Sequence, residues 1–512
     1  MRQLAEWCAA PGLGILLLHG PGGQGKTRLI HRLTDRLGNE PDDTPWGVLR
    51  LSRHAPAEEL ALLRYTETPL LVVVDNAETR TGHLPALLQA AAAAPRSVRL
   101  KVLLLARTDG DWWCDLPAAT GLEELHDATV MPLPPLQPDP TRLPEAYRDA
   151  VESLARALPQ VPGQDRRDWT ALAARVAGSF PYRTRPPDME VALTLHMTAL
   201  VDLLDAAHQP AGSTIGAHRP EERLLDYERR HWIAVEADLG LRKRRGVEAV
   251  LAAAFLCGAA DEDEADALLQ RVPVLDGQTT DVRWAVRDWI GTLYPPPNPS
   301  QLWGTLRPDR LAEYFLGSQL RADPRLADRL LAGASEAQAT RLLTLHTRAA
   351  EHPAHLGRLD SELTALCTRH PELLAPAAVD LATRVQRPEP LVTALYRITD
   401  DSGTDPAHLT TLQDRLPVAS HNLAPWALHL TRRLTGIHRA HADRDGSCPP
   451  ELALLLRKLC ARLLGMGPLA VARLRDLPCQ IRRLGSSQDL IKEQGSANRA
   501  SSGGRSGRAG GP

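Results

Sequence analysis

"LLLHGPGGQGKTRLIHRL", residues 16–33, sets four glycines and a lysine between an apolar run and an amphipathic pattern. Residues 15–19, ILLLH, are apolar up to the first glycine, as a buried parallel strand would be. Beyond the glycines, Leu29, Ile30, Leu33 and Leu37 recur on one helical face, and Gly38 is placed to cap the helix C-terminus. The stretch reads as strand, tight loop, helix. Lys26 at its centre is one of only five lysines in the chain, so a lysine-rich composition does not account for its position.

The same alternation continues outward. WGVLRL (46–51), PLLVVVD (69–75), VRLKVLLLAR (98–107) and ATVMPL (128–133) read as strands, the second strengthened by its β-branched residues. PAEELALLRY (56–65) and LPALLQAAAA (84–93) read as helices. Strands alternating with helices predict a parallel sheet covered on both faces, an α/β domain over residues 1–135.

At PLPPLQPDP (132–140) the character changes, and strand patterns all but vanish. Helices are expected at 144–158, 168–178, 188–207, 221–239 and 246–257. A second proline cluster, YPPPNP, covers 294–299. Residues 323–445 read as short amphipathic helices separated by Pro, Gly and Asp, a stacked array. The Gly/Ser-rich end, 485–512, is expected to be disordered.

Composition narrows the class. The 512 residues are 43% hydrophobic, which is globular. A net charge of −2 argues against a chain built mainly to coat nucleic acid. The RKRR run at 242–245 reads as a solvated helix end. Seven cysteines (8, 114, 257, 367, 448, 460 and 479) form no CxxC pair and read as reduced thiols of a cytoplasmic protein. Cys448, Cys460 and Cys479 match no zinc-ligand spacing. GLGILLLHG (12–20) lacks the features of a secretory signal. VEAVLAAAFLCGAA (247–260) is too short to span a bilayer, so no membrane association is expected.

GPGGQGKT (20–27) satisfies GxxxxGK(S/T) in full. The physics assigns each position. Gly20, Pro21, Gly22, Gly23, Gln24 and Gly25 form a backbone cradle whose N–H groups turn inward toward phosphate oxygens. The helix that follows directs its positive end at the same place, with Arg28 in its first turn. Lys26 adds a mobile charge for the β- and γ-phosphates. Thr27 is a Mg²⁺ ligand in this reading. Asp75 ends an apolar strand and so emerges at the carboxyl edge of the sheet, as the metal-side acid acting through a bound water. Glu78, three residues on, is placed to polarise an attacking water. Arg107 ends the next strand, where it would sense the γ-phosphate. The structural alternatives are a ligand-free glycine turn, a helix N-cap for Asp75, a first-turn acid for Glu78 and a solvated arginine.

Together, HGPGGQGKTRL, LLVVVDNAETR, VLLLARTDGDWW and LWGTLRPDRLAEYF resemble the STAND class of signal-transducing P-loop ATPases, which includes NACHT and NB-ARC switches. The likeness is to an actinobacterial group fused to tetratricopeptide repeats, and it covers roughly residues 5–320. The resemblance implies a P-loop NTPase core (1–135), a helical lid (136–225), a winged-helix-like module (226–330) and a helical repeat region (331–448). It also implies a degenerate tetratricopeptide-like unit at 449–484. ATP/ADP and Mg²⁺ are the implied cofactors. In that class lid and winged helix close over ADP and open on exchange for ATP, which permits oligomerisation. FPYRTRPPDM (180–189) is the nearest candidate for the lid's G-x-P motif, and no Met-His-Asp triplet marks the winged helix.

Three functions follow as expectations. The first is an ATP-binding switch with slow Mg²⁺-dependent hydrolysis, whose helical half binds a protein partner and which forms a homo-oligomer in the ATP state. The second is a non-catalytic nucleotide-binding or repeat scaffold. The third is a DNA-binding regulator using the winged helix, disfavoured because RPDRLAEYFLGSQLR mixes acids with its arginines.

Overall fold

The fold was taken from a computed structural model that describes residues 1–39, 45–52, 55–80, 82–135, 139–178, 180, 186, 188–208, 219–236, 244–296, 301–417 and 420–445. The chain divides into two units, Met1–Ser402 with Arg415–Ala424, and Gly403–Asp414 with Pro425–Pro512.

The first unit begins with α1 (Arg2–Ala9), β1 (Leu13–His19), α2 (Lys26–Asn39), β2 (Gly47–Arg50) and α3 (Ala57–Leu60). β3 (Leu70–Asp75), α4 (Leu84–Ala92), β4 (Leu100–Ala106), α5 (Asp111–Thr120) and β5 (Thr129–Pro132) complete the α/β part. The five strands form one sheet in the order β2-β3-β4-β1-β5, and all pairs are parallel. Because successive side chains point to opposite faces, the sheet builds two cores. Leu17, Val72, Val74, Val102 and Leu104 pack with Leu84, Leu87 and Leu88 of α4 on one face. Leu16, Leu18, Leu71, Val73 and Leu103 pack with Leu4 and Cys8 of α1 and with Ile30, Leu33 and Leu37 of α2 on the other.

Local details depart from the sequence expectations. α2 does not stop at Gly38 but continues to Asn39; a glycine in a last turn costs only about 1 kcal/mol. The helix expected over 56–65 is split, with α3 giving way to a tighter turn at Ala61–Tyr65. Leu60 and Leu63 are the buried residues there. Their three-residue spacing suits three residues per turn, which aligns i with i+3.

The helices α6 (Leu143–Ala157), α7 (Trp169–Ala177) and α8 (Ala192–His208) share a separate core around Tyr147, Trp169, Leu195 and Leu203. Then come α9 (Pro220–Glu236), α10 (Arg244–Cys257), α11 (Glu262–Gln270), α12 (Thr280–Leu293) and α13 (Asp309–Ala322). The expected 225/226 boundary falls within α9. Ala252 to Leu256 of α10 are wholly buried, so this apolar segment is a core helix. Among the described residues, 226–330 contain no strand. α14 (Leu326–Leu331), α15 (Glu336–Glu351), α16 (Asp360–Arg369), α17 (Pro371–Ala382) and α18 (Glu389–Asp400) complete the first unit, with α15 packed on α10, α13 and α17.

In the second unit, Leu409 and Leu412 of α19 (Pro406–Asp414) are buried, as are Trp426, Leu430 and Leu434 of α20 (Ala424–Asp445). Gln413 donates to the Thr431 hydroxyl at 3.2 Å. The repeat-like segment 449–484, the tail 485–512, Cys448, Cys460 and Cys479 lie outside the described residues, as do most of 180–189 and residues 242 and 243. No helix among the described residues is long and apolar enough to cross a membrane. Cys114, Cys257 and Cys367 are free thiols.

Candidate functional site

Strand register brings the singled-out residues to one edge. His19 pairs with Ala106, and Asp75 pairs with Leu105. Gly20, Asn76 and Arg107 therefore leave three adjacent strands side by side, at the carboxyl edge where open parallel sheets present their functional groups.

The loop from Gly20 to Gly25 leaves β1 and enters α2, where Leu29 N–H closes the first turn on the Gly25 carbonyl at 2.9 Å. Gly23 and Gly25 have φ of +85° and +93°, conformations that glycine adopts without strain. A side chain on Gly25 would meet nothing within 4 Å, so the loop is open there. At Gly23 a Cβ would lie 2.8 Å from Leu193 Cβ, and the Gly23 carbonyl accepts from Leu193 N–H at 3.0 Å. The start of α8 is thus seated on the loop. The Gln24 side chain is buried, and its Oε1 has no hydrogen-bond partner among the described residues.

Lys26 folds back on the loop. Its Nζ donates to the Gly20 carbonyl and to the Pro21 carbonyl, the latter at 3.1 Å. Burial, reinforced by the Arg107 guanidinium, lowers its pKa to about 8. Thr27 and Arg28 are exposed on the helix that follows. Thr27 Oγ1 donates to Asp75 Oδ2 at 3.4 Å, so the hydroxyl and carboxylate converge from separate elements. The other Asp75 oxygen accepts from Asn76 N–H at 2.9 Å. Asn76 takes a left-handed conformation, φ +52°, which turns the chain sharply after β3.

That turn carries Glu78 inward. It is only 3% exposed, and among the described residues neither carboxylate oxygen has a hydrogen-bond partner of good geometry. Burial raises its pKa; nearby backbone N–H groups and the guanidinium groups of Arg348 and Arg107 oppose the rise. Arg107 rests against the loop, its guanidinium carbon 3.6 Å from where a Cβ on Gly22 would lie. It donates to Glu313 Oε1 at 2.8 Å and lies 3.8 Å from Asp309 Oδ2. Burial works against its charge, but Glu313, with Asp309 and Glu78, outweighs it, so its pKa is raised. A cleft of about 540 Å³ reaches Gly20, Pro21 and Arg107 from the side of Thr108, Pro132 and Pro388.

The edge therefore gathers Gly20–Gly25, Lys26, Thr27, Asp75, Glu78 and Arg107. Sequence reasoning missed Glu313, Asp309 and Arg348, which arrive on α13 and α15 from more than 200 residues away. It also missed a clamp beside the site. Arg310 on α13 donates to Glu221 at 2.6 Å and bonds Asp188. Glu221 is 1% exposed, with His352 Nε2 at 3.5 Å. Burial would raise the Glu221 pKa, but His352 and Arg310 override it and hold it at about 2. No sequence periodicity encodes these long-range pairs.

No group of three or more His, Cys, Asp or Glu side chains among the described residues is arranged to hold a metal ion. A hydroxyl and a carboxylate, such as Thr27 and Asp75, suit a hard cation that takes its remaining oxygens from phosphate and water. Comparison with protein-family models gave no match, and comparison with curated proteins gave no match.

Proposed function

We propose that this chain binds ATP and ADP on Gly20–Arg28 and acts as a nucleotide-dependent switch with slow Mg²⁺-dependent hydrolysis. The observation that carries the reading is the approach of Thr27 Oγ1 to Asp75 Oδ2 at 3.4 Å beside a glycine loop that is open at Gly25. This gives backbone donors, a lysine and a pair of hard oxygen ligands at one helix N-terminus, a combination suited to a Mg²⁺-bound triphosphate.

The roles follow from position. The loop N–H groups cradle the phosphates, and Lys26 leaves the Gly20 and Pro21 carbonyls for phosphate oxygens, which favour its charged form. Thr27 and Asp75 hold Mg²⁺, which when bound neutralises charge on the β- and γ-phosphates. Glu78, buried and with a raised pKa, accepts a proton from the attacking water. Arg107 stabilises charge on the terminal phosphate. The helical half, packed through α13 and α15, relays the nucleotide state to a protein partner.

Mass measurement in solution with ADP and with a non-hydrolysable ATP analogue tests the switch. The reading predicts a larger assembly with the analogue. One mass in both states, with no phosphate release above buffer, would assign the chain to the scaffold class instead.

A further inference from the structure

Arg107 serves two neighbours. Its guanidinium carbon lies 3.6 Å from where a Cβ on Gly22 of the glycine loop would be, yet among the described residues its hydrogen bond goes to Glu313 of α13 at 2.8 Å. Arginine has five N–H donors in a planar fork, more than Glu313 takes up, and both terminal guanidinium nitrogens lie within 4 Å of where a Gly22 Cβ would be. Glu313 is 9% exposed, buried for a carboxylate, and Asp309 four residues earlier lies on the same face of α13, 3.8 Å from the same guanidinium. α13 thus presents two acids to the arginine that faces the loop.

We propose that Glu313 sets the preference between ATP and ADP, by competing with the terminal phosphate of ATP for Arg107. The inference rests on the nucleotide-site reading above and adds a residue to it. A triphosphate seated on the loop brings an anion to the guanidinium that Glu313 holds. Bonding it leaves the Glu313 carboxylate buried beside phosphate, an arrangement that repels and loosens α13. A diphosphate lacks the terminal group and leaves the pair intact. Because α13 also packs on α9, α10 and α15, loosening it at Glu313 passes the difference between the nucleotides to the helical half. Glu313 is a positioning residue, acting through Arg107.

Calorimetry with Mg²⁺, ADP and a non-hydrolysable ATP analogue, on wild type, Glu313→Gln, Arg107→Ala and the double variant, tests this. Glu313→Gln keeps shape and removes charge. It is expected to tighten the analogue about tenfold and leave ADP unchanged, a charge-assisted hydrogen bond's worth of competition. In the Arg107→Ala background the same substitution should not move the ratio. Equal changes for both nucleotides, or an undiminished shift without Arg107, would reduce Glu313 to a structural role. Wild type binding both nucleotides with no shift in the ratio overturns this inference alone; wild type binding neither overturns the nucleotide site as well. A second readout needs no variant: amide exchange across Asp309–Ala322 in wild type should be faster with the analogue than with ADP, and equal protection would overturn the proposal.

Discussion

Replacing Lys26 with methionine should make the protein's stability less sensitive to alkaline pH. The Lys26 ammonium is partly desolvated beside Arg107, which brings its pKa from 10.5 to about 8 in the folded chain. Between these values the unfolded chain holds a proton that the folded chain has released. Unfolding therefore takes up a proton there, and stability rises with pH. Below pH 8 the folded state bears the cost of a buried charge; above pH 10.5 neither state does. The gap corresponds to about 3 kcal/mol at full burial, and partial exposure of the side chain cuts it to about 1–2 kcal/mol. Lys26→Met has no such group. Urea unfolding of both proteins without nucleotide, at pH 7, 8.5 and 10, should show wild type gaining about 1–2 kcal/mol on the variant across that range. Parallel stability curves would refute the desolvation argument. A bound triphosphate favours the ammonium, so wild-type affinity for ATP should fall as pH rises above 8.

Three further outcomes follow from the same geometry. Glu78→Gln should slow ATP hydrolysis by about a hundredfold or more while ATP affinity, read by calorimetry, holds; because burial raises the Glu78 pKa, ionisation costs stability as pH climbs from 4.5, so thermal melts should show the variant above wild type at pH 7 and equal to it in acid. Arg310→Met takes the shared guanidinium from Asp188 and Glu221, leaving Glu221 with His352 at 3.5 Å, and should cost about 3 kcal/mol in urea unfolding at pH 7; the Glu221 pKa of about 2 makes the contribution of His352 and Arg310 together full above 4.5 and lost as pH falls toward 2. Gly23→Ala combines φ +85° with a 2.8 Å approach to Leu193 and should lower both the melting temperature and ATP affinity, by about 1–3 kcal/mol in stability.

The strands were legible because each is a short apolar run ending at a turn or polar residue, and their register follows from one parallel sheet. Asp75 and Arg107 were legible for the same reason, since a residue ending a central strand emerges at the carboxyl edge. α1 escaped notice because it is only eight residues long, and its buried pair Leu4 and Cys8 is a single four-residue repeat. Glu313 and Arg310 were hidden by distance along the chain: on α13 they read as ordinary surface charges, and only tertiary packing turns one toward Arg107 and the other toward Glu221. Lys101 illustrates the limit from the other side. It lies in a buried strand, where its Nζ reaches the Gly12 carbonyl at 3.1 Å and the Trp7 ring at 5.8 Å, and its neighbours in sequence announce neither contact.

The central claim is that Gly20–Gly25, Lys26, Thr27 and Asp75 grip a Mg²⁺-bound triphosphate. Titration of Mg²⁺-ATP into the full chain and into Lys26→Ala, followed by calorimetry, tests it most directly. The account predicts saturable binding at one site in wild type and affinity about a hundredfold or more weaker in the variant. Equal affinity in the two proteins, or no saturable heat in wild type, would contradict it.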